Sequence, residues 1–187
     1  MLRDWPVDGL EDLYERMRGD FPANERPPKN SLIKQIKKGE LKALCMDAPD
    51  LRAAAYALCA GDEAVLITHL AVKAGFRANG YGTMLLEELS NTYRTKSSYL
   101  IVEVELPEKA KQADERATRE KRIAFYTRAG FSGYLQVPYS IFGVPMMLMV
   151  KSLNGKALPS EALLKQMVKA AYSAFLPSFL MGQVRFI

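Results

Sequence analysis

A chain of 187 residues with a net charge of +5 can bury one sizeable core without disulfide or metal staples. His69 is its only histidine, which excludes a histidine-rich metal site, and Cys45 and Cys59 stand far from any metal-ligand spacing. No long uninterrupted apolar run predicts a membrane-spanning helix. Bases and acids alternate between Lys109 and Arg122, so the charge alone does not argue for nucleic acid.

In chain order, Met1-Leu-Arg-Asp-Trp-Pro6 lacks the apolar core of a signal peptide. A cytoplasmic protein with two reduced, buried thiols is therefore expected. A first helix is predicted over Asp8–Met17, capped by Asp8 and striped by Leu10, Leu13, Tyr14 and Met17. The prolines of Phe21–Lys29 predict a loop. Asn30 is the expected cap of a short helix that carries Ile33 and Ile36 and stops at Gly39. Leu41–Met46 and Leu51–Cys59 read as strands around Asp47-Ala-Pro-Asp50. Gly61-Asp62 turns the chain into a third strand that ends at Val72. Short links between successive strands favour antiparallel pairing.

The stretch from Val72 to Thr83 is the most informative. A β-rich run, Val65-Leu-Ile-Thr-His-Leu-Ala-Val72, leads into a glycine-containing turn. A helix follows, with Leu85, Leu86, Leu89 and Tyr93 on one face. Such a joint aims several backbone N–H groups at one point, at the positive end of a helix dipole, and defines an anion site. A further strand, Tyr99–Leu106, suggests a parallel crossover. Residues 109–122 read as a solvated helix face, closed by Ala129-Gly130 as C-cap and Phe131 as a strand start. A strand over Val144–Lys151 and an amphipathic helix beyond Pro159 complete the chain. That helix carries Leu163, Leu164, Met167, Val168, Ala171, Tyr172 and Phe175. The segment Leu135–Val144 is expected as a loop.

Arg77-Ala-Asn-Gly80-Tyr-Gly82 fits R-x-x-G-x-G. A dinucleotide fingerprint would want a glycine where Arg77 stands, and a phosphate-binding P-loop would want lysine and a hydroxyl after its last glycine. With the strand end Leu70-Ala71-Val72 before it and Ala124-Phe125-Tyr126, Arg128 and Gly130-Phe131 after it, the arrangement resembles the GNAT superfamily of N-acetyltransferases. The segments Glu103-Val-Glu105-Leu-Pro107, Arg122–Tyr126 and Val144-Pro145-Met-Met resemble an uncharacterised bacterial branch of it.

The resemblance implies an α/β fold. Its mixed central sheet has antiparallel N-terminal strands and a parallel pair at the cofactor cleft, with helices on both faces. One domain over 1–187 is expected, its core at about 8–152 with a C-terminal helical extension over 155–187. The implied activity is transfer of an acetyl group from acetyl-CoA to a primary amine of a small molecule or protein, by direct attack in a ternary complex. Acetyl-CoA is the cosubstrate, and no metal, nucleic acid or membrane partner is implied. A homodimer stays open. The alternative is a catalytically weak acyl-CoA-binding sensor or assembly protein.

Backbone donors for the pyrophosphate are expected from Arg77, Ala78, Asn79, Gly80, Tyr81, Gly82 and Thr83, with the Thr83 hydroxyl beside them. By the same resemblance Leu70, Ala71 and Val72 pair with the pantetheine amides, and an N–H near Ala71 or Val72 serves the carbonyl oxygen. Tyr126 matches the tyrosine that protonates the departing thiolate. Many relatives carry a glutamate where Thr68 stands, and threonine accepts no proton at neutral pH. Glu103, Glu105, His69 or a water then supplies the base. Glu103 is favoured, with an ion pair between these acids and Arg122 as the rival reading. His69 reads as a partly buried strand residue.

Overall fold

The computed structural model describes residues 1–48 and 51–186, and its elements follow the apolar spacing of the sequence. A short strand β1 (Leu2–Asp4) and a 3-10 turn at Val7–Gly9 precede α1 (Leu10–Asp20). Leu10, Leu13 and Met17 are all buried on one stripe of α1. No side chain caps this helix. Asp8 falls inside the 3-10 turn, and Trp5 Nε1 donates to the Gly9 carbonyl at 2.8 Å.

Helix α2 (Lys29–Lys38) starts one residue before Asn30, behind Pro28, whose fixed φ pre-sets the entry. Leu32 and Gln35 are buried there, while Ile33 and Ile36 are half-buried. Gly39, at φ 75°, closes the helix in the left-handed conformation that glycine adopts without strain. Strands β2 (Lys42–Ala48), β3 (Leu51–Ala60) and β4 (Ala64–Val72) follow. β2 pairs antiparallel with both β1 and β3. Pro49 and Asp50 of the expected turn lie outside the described residues. Gly61 has φ 100°, and a Cβ there would meet the Ala64 carbonyl oxygen at 2.3 Å, so the turn into β4 demands glycine.

Helix α3 (Tyr81–Tyr93) buries Leu85, Leu86, Leu89 and Tyr93. The crossover is parallel: β5 (Tyr99–Glu105) pairs with β4 from Ala64↔Tyr99 to Ile67↔Val102. Helix α4 (Ala113–Arg128) is mostly exposed over its first turns and ends before Gly130 at φ 89°. Strands β6 (Ser132–Ile141) and β7 (Val144–Ser152) form an antiparallel pair, and β7 also pairs antiparallel with β5. Helix α5 (Glu161–Phe175) and strand β8 (Val184–Phe186) complete the chain.

The sheet order is β1-β2-β3-β4-β5-β7-β6-β8, a mixed sheet flanked by helices. The loop expected over Leu135–Val144 is corrected by this ladder, since Leu135–Ile141 belongs to β6. Pro138 cannot donate to a ladder, and the β6–β7 register accordingly skips from Tyr134↔Leu148 to Tyr139↔Met146.

Contacts divide the described residues into two compact units, one built from Met1–Ala60 with Thr68–Leu89, the other from Gly61–Ile67 with Ser90–Ile187. In the second unit one apolar cluster gathers Ala64 and Leu66 of β4, Tyr99 and Ile101 of β5, Leu148 and Val150 of β7, and Leu164, Met167, Val168, Ala171 and Tyr172 of α5. The last helix is thus part of that unit's core, and β8 adds an edge strand to β6. In the first unit Cys45 and Cys59 are buried.

Candidate functional site

Strand β4 hands the chain to α3 through a tightly braced turn in the first unit. Lys73 N–H donates to the Ala54 carbonyl at 2.8 Å and so fixes the strand end. A 3-10 turn at Ala74–Phe76 follows, and Arg77 N–H donates back to Ala74 at 3.3 Å. Ala78 and Gly80 have φ values of 64° and 81°, with Asn79 between them at negative φ. Alternation of this kind turns successive N–H groups toward one side. The first helical bond runs from Met84 N–H to Gly80 at 3.0 Å. The N–H groups of Tyr81, Gly82 and Thr83 therefore have no acceptor within the helix, and they stand at its positive end.

Side chains hold this turn from both ends. Arg77 Nε donates to the Val72 carbonyl at 3.0 Å, and its Nη2 lies 3.5 Å from Asp20 Oδ1. Asp20 is also paired with Arg16 at 3.3 Å. The rings of Phe76 and Tyr81 meet edge-on with centroids 5.3 Å apart. Ala78, Asn79, Gly80 and Thr83 are exposed, and a Cβ on Gly80 would meet nothing within 4 Å. Leu70 and Val72 are half-buried and Ala71 is buried. The β4–β5 register ends at Ile67↔Val102, so Thr68–Val72 continue β4 beyond their last described pairing with β5.

Thr68 and His69 occupy this outer part of β4. The Thr68 hydroxyl donates to the Leu58 carbonyl at 3.2 Å. His69 Nε2 lies 3.0 Å from the Glu25 carbonyl, an acceptor, which puts a proton on Nε2. Its Nδ1 lies 3.2 Å from the Thr68 hydroxyl oxygen, and Phe21 meets the ring edge-on at 4.9 Å. Burial pushes the His69 pKa below the ordinary imidazole value, partly offset by the bond to Glu25. The side chain thus clips the proline-rich segment to β4.

The other candidate groups lie in the second unit. Glu103 accepts hydrogen bonds from two phenols, Tyr139 to Oε1 and Tyr172 to Oε2, the latter at 2.7 Å. Burial raises its pKa, while the two donors pull it down. Glu105 behaves differently: Arg119 Nη2 at 2.9 Å and Arg122 Nη1 at 3.2 Å hold it in an ion-pair group. Tyr126 is buried between Phe125 and Phe131, with centroids at 5.1 and 5.5 Å, and burial pushes its pKa up to about 12.

Sequence reasoning missed Asp20, Tyr139 and Tyr172. Tyr172 was visible only as one member of an apolar stripe. A hydroxyl at a buried stripe position needs a partner, and that was the available signal. Tyr139 lay in a segment expected as a loop. Among the described residues no cluster of three or more His, Cys, Asp or Glu could hold a metal ion, and no helix is long and apolar enough to cross a membrane.

The architecture is that of the GNAT proteins. A GNAT-family protein from Bacteroides thetaiotaomicron superposes with a TM-score of 0.71 at 21% identity, covering 94% of this chain and 98% of that one. Arabidopsis thaliana NAA60 in complex with acetyl-CoA gives 0.64 at 15% identity, covering 83% and 99%. The GNAT-like decarboxylase GphF in complex with isobutyryl-CoA gives 0.64 at 12% identity, covering 82% and 100%. None of the curated proteins matches the sequence. Residues 47–133 match the family model described as the acetyltransferase (GNAT) domain. That segment is similar to the GNAT acetyltransferase domain, and the mixed sheet with one parallel strand pair is the GNAT fold.

Proposed function

We propose that this protein transfers an acetyl group from acetyl-CoA to a primary amine of a small molecule or protein, by direct attack in a ternary complex. The observation that carries the reading is the turn between β4 and α3. Its N-terminal helix donors at Tyr81, Gly82 and Thr83, with the positive φ angles of Ala78 and Gly80, fit a diphosphate held by main-chain amides. The exposed Gly80 leaves the backbone open to close approach. Arg77 contributes differently from its neighbours. Its N–H is taken up by Ala74, and its guanidinium braces the Val72 carbonyl, so its part is to shape the turn.

Within this reading Leu70, Ala71 and Val72 offer backbone groups to the pantetheine amides. The coenzyme supplies an activated thioester. The chain must then orient that carbonyl, take a proton from the amine and give one to the sulfur. Tyr126 suits the last task, because its phenol stays protonated through the physiological range. Glu103 suits the second, because burial raises a carboxyl toward the pKa of a working base. Glu105 is already engaged by two arginines and fits a structural role.

Thr68 favours one rival. Its hydroxyl is directed to a backbone carbonyl, and it offers no carboxylate at the position where many relatives hold one. That suits a protein that binds acyl-CoA without rapid turnover. Release of free thiol from acetyl-CoA, screened against a broad panel of amines, decides between them. Amine-dependent release supports transfer. Tight acetyl-CoA binding with no release across the panel supports the sensor. The Gly82→Trp variant is expected to lose acetyl-CoA binding by calorimetry while its circular dichroism stays unchanged. Retained binding in that variant would misplace the cofactor site.

A further inference from the structure

Three titratable side chains from three elements converge in the second unit. Glu103 comes from β5, Tyr139 from β6 and Tyr172 from α5, separated by 36 and 69 residues from the glutamate. Each phenol takes a different carboxylate oxygen, so the carboxyl plane is fixed at both ends. The glutamate is half-buried and not sealed from solvent. On the same strand Glu105 belongs to the ion-pair group of Arg119 and Arg122. The register partner of Glu103 on β7 is the apolar Leu148. Among the described residues no basic side chain pairs with Glu103; Tyr139 and Tyr172 are the titratable groups that face it.

A carboxyl gripped by two neutral donors keeps a defined geometry and can still exchange a proton. The fold builds such a site at Glu103, whereas Glu105 two residues later lies between Arg119 and Arg122. Tyr172 also spends a helix position that could have been apolar like Val168 and Ala171 around it.

We infer that Tyr139 and Tyr172 are positioning residues that orient the Glu103 carboxyl for proton transfer, and that α5 is part of the working apparatus. This rests on the acetyl-transfer reading for the purpose of that proton, though not for the triad itself. The helix then supplies a hydroxyl to the reaction as well as packing to the core.

The test pairs a titration with a rate profile. The carboxyl carbon of Glu103 is followed by NMR in the wild type, Tyr139→Phe and Tyr172→Phe. Wild-type Glu103 is expected to titrate above the ordinary glutamate value of about 4.3. Loss of one donor to the charged form should move the midpoint up by about one pH unit. In the thiol-release assay the acid limb of kcat should move by the same amount, with kcat reduced by up to about tenfold at pH values well below the wild-type midpoint and the KM for acetyl-CoA unchanged. A wild-type midpoint at or below about 4.3 would overturn the proposal even if neither variant folded. So would an acid limb that stays fixed while the variants remain folded. If the wild type releases no thiol with any amine but the Glu103 midpoint still moves, acetyl transfer fails and the triad stands. If thiol is released and Tyr172→Phe changes nothing, the triad fails and acetyl transfer stands.

Discussion

The Tyr126 hydroxyl loses solvent on folding, and the resulting rise in its pKa to about 12 makes it an acid that never ionises at working pH. Its ring is held by Phe125 and Phe131, so Tyr126→Phe removes one oxygen and keeps the packing. If this hydroxyl protonates the leaving thiolate, thiol release at pH 8 should slow by roughly 100-fold. Affinity for acetyl-CoA should change less than twofold, and thermal stability should hardly move. A rate loss under threefold would return Tyr126 to the role of a packed helix tyrosine. The sequence named this residue through the Phe-Tyr pair before Gly130-Phe131. It could not foresee the difference between Glu103 and Glu105. Both share one face of β5 by alternation, and only the tertiary partners separate them, two phenols for one and two arginines for the other.

At the scale of elements, α5 shows how far periodicity reaches. Leu163 and Leu164 both sit on the apolar stripe of the sequence. In the fold Leu164 is fully buried, whereas Leu163 is 37% exposed. Leu164→Ala should therefore cost about 2–5 kcal/mol and Leu163→Ala less than about 0.5 kcal/mol. Urea unfolding of the two variants measures this directly; equal losses would mean the helix is rotated from the face described. Ser160 caps α5 by accepting from Leu163 N–H at 3.3 Å, and Ser160→Ala should lower stability by about 1 kcal/mol. Long periodic elements were legible in this way: α1, α3, α5 and the strands β2 to β5 follow their apolar spacing. Two helix starts were not. Asp8 and Asn30 are good caps by chemistry, but the 3-10 turn under Trp5 and the Pro28 entry set those boundaries instead. Strands β1 and β8 were missed because three residues carry no readable period. β6 was misread because Pro138 signals a loop until its neighbour shows where the ladder skips it. The strand-to-helix joint between Val72 and Thr83 was legible as a turn because its glycines interrupt both the strand and the helix pattern. The uptake of the Arg77 N–H by Ala74 depends on the local 3-10 turn and left no trace in the spacing.

Over the whole molecule, His69 and Glu103 pull stability in opposite directions as pH changes. His69 has a folded pKa below its unfolded value of about 6.5, so the unfolded chain binds more protons between those two values. Its contribution is complete above about pH 6.5 and is lost as pH falls toward the folded pKa. Glu103 has a folded pKa above its unfolded value of about 4.3. In its window the folded chain binds more protons, so stability falls as pH rises from about 4.3 to the folded pKa. Where the windows overlap the slopes oppose each other, and the wild-type profile there should be flatter than either residue alone dictates. The single variants expose the hidden slopes. The stability difference between wild type and His69→Gln should grow as pH rises through this range, and that between wild type and Glu103→Gln should shrink. Chemical unfolding at half-unit pH steps measures both differences. The two residues belong to different compact units, so unfolding in two transitions would place each slope on its own transition. Differences that stay constant with pH would mean that neither group changes its proton affinity on folding, and the environments assigned to both would be wrong.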